Sequence, residues 1–148
     1  MTFAKKVFIP IEISQESENH LINLKDLAFL KDAEIHFIHL FQTMTYAFGI
    51  AEAPLSFPVD GEREEIERAG IDLMKSIGQK VLPHDFQGKV DYELRFSDDP
   101  KRCFVRLVKN ESPDLVIIPC RVKHGVFESS FAKFVSSQTS CHLLLLKH

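Results

Sequence analysis

Two apolar runs near the end of the chain, Leu115-Val116-Ile117-Ile118 and Leu143-Leu144-Leu145-Leu146, contain no polar residue and no alternation. A strand apolar at successive positions buries both of its faces, which requires a parallel sheet with helices on each side. A basic loop and a helix-like segment lie between the two runs, so this quarter of the chain reads as a βαβ unit with the usual right-handed crossover. The loop leaving the first run falls at the carboxyl end of the sheet, where open α/β folds place their ligands. Such loops are usually rich in glycine. Here residues 119–130 hold only Gly125.

The rest of the chain fits the same plan. Val7-Phe8-Ile9-Pro10-Ile11 is a short central strand with Pro10 at its exit end, where a ladder donor can be spared. Ser14 caps a first helix running to about residue 30, with Leu21, Leu24, Leu27 and Ala28 at helical spacing. Residues 34–41 form a second strand, whose His36 and His39 point to opposite faces and cannot jointly hold a metal. Residues 62–82 are the clearest helix, with Ile66, Ala69, Leu73, Ile77 and Val81 as its apolar stripe and Pro83 as its stop. Val90, Tyr92, Leu94 and Phe96 alternate with charged residues, the pattern of a half-buried edge strand. Asp98-Asp99-Pro100 opens a third helix, buried through Cys103, Phe104, Leu107 and Val108. Phe127, Phe131, Phe134 and Val135 line a fourth, and residues 142–147 form the last strand. The expected fold is α/β: one domain over residues 1–148, a single open five-stranded parallel sheet with helices on both faces. Residues 43–61 interrupt the rhythm with an aromatic loop insert containing Tyr46, Phe48 and Phe57, read as a core cover, a partner surface or a lid.

Charge and composition narrow the function. A net charge of −3 with scattered basic residues gives no case for nucleic acid or an anionic membrane. No apolar stretch approaches the roughly 20 residues that span a bilayer, and the start enters a strand without the apolar region of a signal peptide. Three cysteines without metal spacing point to free thiols in a reducing cytoplasm. The seven histidines show no ligand spacing, so no metal site is expected.

Five segments in order resemble the universal stress protein family of UspA type. Val7-Phe8-Ile9-Pro10-Ile11-Glu12-Ile13-Ser14 is similar to the family's ILVPVDGS opening, and Ala33-Glu34-Ile35-His36-Phe37-Ile38-His39-Leu40 to its AELHLLHV second strand. Ser97-Asp98-Asp99-Pro100 resembles the GDP entry to the third helix. Pro113-Asp114-Leu115-Val116-Ile117-Ile118 is similar to ADLIVMG, and Ser140-Cys141-His142-Leu143-Leu144-Leu145 to APCPVLVV. The resemblance implies sheet order 3-2-1-4-5, the adenine nucleotide alpha hydrolase-like, Rossmann-like arrangement, and a homodimer built on the last strand through Leu143, Leu144, Leu145 and Leu146.

It also implies a nucleotide pocket at the carboxyl ends of the first and fourth strands, bordered here by Pro10, Ile11, Glu12, Leu40, Pro119, Cys120, Arg121, Gly125, Ser129 and Ser130. Many family members bind ATP through G-x2-G-x9-G-[S/T], in which glycines let backbone N–H groups approach phosphate at a helix N-terminus. In this chain Pro119 and Val122 occupy the first two glycine positions, and Ser129 with Ser130 matches the third glycine and its hydroxyl. Six residues separate Val122 from Ser129 instead of nine, and Glu12 replaces the usual Asp after the first strand. Arg121, Lys123, Ser129 and Ser130 form either a modified anion cradle or a solvated basic loop with a helix cap. Pro119 and Val122 weigh toward the second. Cys120, beside Arg121 and Lys123, is either packed or a thiol whose pKa those cations lower. The implied function is a non-catalytic cytoplasmic stress-response protein, a homodimer or partner-binding module with no cofactor and weak or no ATP or AMP binding. The alternative is a nucleotide-binding sensor or slow ATPase with a rebuilt phosphate loop.

Overall fold

The computed structural model describes residues 4–13, 17–43, 60–120, 122–123, 126–127 and 130–147. β1 (Lys6–Pro10) leads to α1 (Ser17–Leu21), and two 3₁₀ turns, Ile22–Asp26 and Ala28–Leu30, precede β2 (Glu34–Gln42). α2 (Asp60–Val81), β3 (Lys89–Ser97), α3 (Pro100–Glu111) and β4 (Leu115–Cys120) follow. Then come the two-residue strands β5 (Val122–Lys123) and β6 (Val126–Phe127), α4 (Ser130–Gln138) and β7 (His142–Lys147). The main sheet runs β3-β2-β1-β4-β7, every pair parallel, which is the expected order 3-2-1-4-5 with β7 as the fifth strand.

Alternation along the strands divides the core into two layers. Val7, Ile9, Ile35, Phe37, Leu115, Ile117 and Leu146 face α1, the 3₁₀ turns and α2, where Leu21, Leu24, Leu30, Met74 and Val81 are buried. Phe8, Ile38, Val116 and Ile118 face α3 and α4, burying Phe104, Leu107, Val108, Ala132 and Val135. The edge assignment of β3 holds, with Leu94 buried and Val90, Tyr92 and Phe96 packed against the first layer. Asp99 caps α3, accepting from Arg102 N at 3.3 Å, with Pro100 in the first turn as read from the sequence. Among the described residues no helix is long and apolar enough to cross a membrane.

Three local expectations change. The first helix is not continuous to residue 30, because the buried leucines, Leu21, Leu24 and Leu30, fall on a repeat of three residues. That period matches the 3.0 residues per turn of a 3₁₀ helix, so the segment tightens after Leu21 and breaks at Leu27, which leaves the helical region (φ −92°, ψ 89°). The expected cap, Ser14, lies outside the described residues. In α2 the stripe is rotated: Ala69 is exposed and Leu73 is 52% exposed, while Gly70, Met74, Gly78 and Val81 are buried. Glycines carry no hydropathy signal, yet here they let the helix approach β3, with Leu94 beside Gly70 and Tyr92 beside Gly78. Finally, Phe127 belongs to β6 and not to the fourth helix, which begins at Ser130. The aromatic insert, residues 43–61, lies outside the described residues apart from Thr43 and the first turn of α2.

Candidate functional site

The chain adds strands outward from β1 in both directions, first β2 and β3, then β4 and β7, so the topological switch point lies between β1 and β4. In open α/β sheets the crevice beyond the strand ends at this point is where ligands bind. Pairing of β1 with β4 is limited to Val7 with Leu115 and Phe8 with Val116, although both strands continue beyond it. Pro10 and Pro119 are part of the reason: neither carries an N–H to bridge the gap.

On the β1 wall, Pro10 is half-buried opposite Ile38. Ile11 is buried and keeps the chain on β2, its N–H donating to Ile38 O at 2.9 Å. Its own carbonyl accepts from His39 Nδ1 at 2.8 Å. A carbonyl only accepts, so the His39 proton sits on Nδ1. This clamp fixes the backbone immediately before Glu12, which is exposed. Leu40 is half-buried at the end of β2, packed against the α3 and α4 layer. His39 was not singled out as a pocket residue in the sequence; the available signal was its place near the carboxyl end of the strand next to β1.

On the β4 wall, Pro119 pairs with Leu146 and Cys120 with Lys147, so the position of the first motif glycine is still inside the parallel ladder. Cys120 is buried, and its Sγ lies 3.6 Å from Ile118 O. Burial pushes this thiol up from its ordinary value, with Lys147 pulling the other way. Of the two readings of Cys120, burial and the direction of this shift favour the packed thiol. Beyond Cys120, Val122 pairs antiparallel with Phe127 and Lys123 with Val126. Ser130 is the first residue of α4 and is exposed. Arg121, Gly125 and Ser129 lie outside the described residues. The structure thus brings Pro10, Ile11, Glu12, Leu40, Pro119 and Cys120 to one end of the sheet.

No protein-family model matches the sequence, and no curated protein does. Solved structures do. A hypothetical protein, PH0823, is 19% identical over 97% of this chain and 96% of its own, with a TM-score of 0.69. UspA from Lactobacillus plantarum is 15% identical over 96% and 97% of the two chains, with a TM-score of 0.65. A universal stress protein family protein from Arabidopsis thaliana, solved with AMP bound, is 15% identical over 97% of this chain and 92% of its own, at a TM-score of 0.60. At these identities the likeness is one of fold, and the fold is that of the universal stress proteins.

Proposed function

We propose that this protein is a non-catalytic, single-domain stress-response module of universal stress type that works as a homodimer or by binding a protein partner, with weak or no affinity for ATP. The observation that carries the reading is the hydrogen-bonding role of the segment where a phosphate loop would be. Phosphate binding at such a site relies on several free backbone N–H groups converging on the anion. Here Pro119 has none, and of Val122 and Lys123, adjacent pairs of the antiparallel ladder with β6, one gives its N–H to that strand. Donors committed to strand pairing are not available to phosphate without breaking it, which costs about 0.5–1.5 kcal/mol for each bond lost. Cys120 adds no catalytic nucleophile, since its described contact is a carbonyl and its thiol is held protonated by burial. Free Cys103, Cys120 and Cys141 support a reducing, cytoplasmic setting.

Dimerisation is supported by β7, an edge strand in the described sheet that carries four successive leucines, of which Leu145 is 38% exposed. An apolar edge of this kind is an association site. The second reading, a nucleotide sensor at the same crevice, draws on the AMP held by the Arabidopsis protein and on the gap between β1 and β4. Calorimetric titration with ATP and with AMP separates the two. The expected dissociation constants are weaker than about 1 mM. Binding of either nucleotide in the middle micromolar range or tighter overturns the reading in favour of the sensor.

A further inference from the structure

The opposite, amino end of the sheet carries a second constellation. Strand register aligns Phe8, His36 and Asp91 in one row across β1, β2 and β3, and Glu34 lies two residues before His36 on the same face. The His36 ring leans on the Phe8 ring, with centroids 5.2 Å apart and planes at 52°, and its side chain is 19% exposed. Its orientation is therefore fixed by packing as well as by polar contacts.

Two carboxylates address the two ring nitrogens separately. His36 Nε2 lies 3.0 Å from Glu34 Oε1. An ionised carboxylate only accepts, so Nε2 carries a proton there. Nδ1 then presents its lone pair toward Asp91 Oδ2 at 3.7 Å, beyond hydrogen-bond length. An acceptor nitrogen facing a carboxylate oxygen is repulsive unless a cation sits between them: a proton on Nδ1 or a metal ion. Two ligands at about 2.0–2.2 Å from a tetrahedral ion are about 3.4 Å apart. Asp91, 70% exposed, needs to move only a few tenths of an ångström to reach that spacing. The Glu34–His36 contact is the outer carboxylate that metal-bound histidines usually have, which fixes the tautomer and raises ligand basicity.

The neighbouring cations are engaged elsewhere. Lys6 pairs with Glu111 at 2.9 Å and sits over the Phe8 ring, and Arg95 pairs with Glu93 at 2.8 Å. Lys89 stands opposite Glu34 in the register but lies within ion-pair range of neither Glu34 nor Asp91. We propose that this cluster binds a divalent transition-metal ion of zinc type, with His36 Nδ1 and Asp91 Oδ2 as direct ligands and Glu34 holding Nε2–H, water completing the shell.

Titration of the intact protein with zinc chloride, followed by calorimetry and by ¹H–¹⁵N correlation of the imidazoles, tests this. Saturable binding with a shift of the His36 Nδ1 resonance is expected. His36→Gln should abolish that binding, Asp91→Asn should weaken it at least tenfold, and Glu34→Gln should weaken it by about 10–100-fold. His84→Gln, at an exposed histidine outside the cluster, should leave it unchanged. Asp91 is on an exposed edge, so its variant keeps the test valid if His36→Gln folds poorly. No saturable binding below about 1 mM, or binding unchanged by Asp91→Asn, overturns the proposal.

Discussion

Gly88→Ala should be among the more damaging single-methyl changes in this protein, because the methyl would enter main chain and not side chain. Gly88 opens the approach to β3, where Gln87 N and Gly88 N both donate to Lys31 O (2.8 and 3.1 Å) and Lys89 N donates to Ala33 O (3.2 Å). A Cβ at residue 88 falls 1.9 Å from Ala33 O, 2.9 Å from Ala33 C and 3.0 Å from Ala33 N. Its φ is outside the left-handed region, so the requirement is space alone. Relief means lifting the start of β3 from β2 and weakening those three bonds, worth about 1.5–4.5 kcal/mol together. Alanine returns about 0.4–1 kcal/mol by restricting the unfolded chain. The net loss is about 0.5–4 kcal/mol. Gly78→Ala is the internal control. There the added methyl meets Tyr92 Oη, Cε1 and Cζ at 2.5–3.0 Å, atoms of a ring stacked on Phe37 at 5.6 Å. Overpacking costs about 1–3 kcal/mol, but the helix regains about 1 kcal/mol from alanine. Urea unfolding with a shared slope should therefore rank Gly88→Ala below Gly78→Ala, and Gly78→Ala at or below the wild type. A Gly88→Ala midpoint equal to wild type, or above that of Gly78→Ala, would refute the account of how β3 is seated.

Two further outcomes are expected. Leu145→Lys should give a folded monomer by light scattering, whereas Leu144→Lys, which places its charge against the first core layer, should lose folded protein; a dimer that survives Leu145→Lys places the interface elsewhere. Burial raises the thiols of Cys120 and Cys141 above their ordinary values, so their stabilising contribution is complete below the unfolded thiol pKa of about 8.5 and is lost as pH rises above it. The urea midpoint should fall between about pH 8 and 9.5, and a Cys120→Ala/Cys141→Ala double variant should flatten that fall; a midpoint that rises with pH contradicts the assignment.

Much of the fold is legible because hydropathy and sheet position are coupled. Leu115 to Ile118 are all buried, as a run without alternation demands of a central strand, and the alternation over residues 90–96 marks an edge strand covered on one face. The failures occur where hydropathy is silent or ambiguous. Gly70 and Gly78 orient α2 through lack of bulk, so a reading by apolar side chains turns the helix toward Leu73. The leucines from residue 21 to residue 30 suit either helical period, and the tighter one prevails where Leu27 breaks the chain direction.

The candidate sites are legible to a different extent, because each depends on what lies across a strand boundary. The missing glycines at Pro119 and Val122 are visible in the sequence. The short strands after β4 are not visible there: β5 and β6 are two residues each, too short for any period to register. Cys120 shows the same limit in charge. Its sequence neighbours are cations, but the thiol is buried, and burial decides the direction of its shift. His36 shows it in ligand spacing. Counting along the chain pairs His36 with His39 on the opposite face, whereas its carboxylate partners are Glu34, two residues back, and Asp91, fifty-five residues on. Only the parallel register of β2 with β3 brings Asp91 beside the ring, and that register follows from the β2–β3 pairing, in which Glu34 faces Lys89 and His36 faces Asp91. A one-residue slip would turn Asp91 to the other face. Disturbing the start of β3 at Gly88 should therefore weaken zinc binding without touching a ligand, which links the packing of the strand to the chemistry proposed on it.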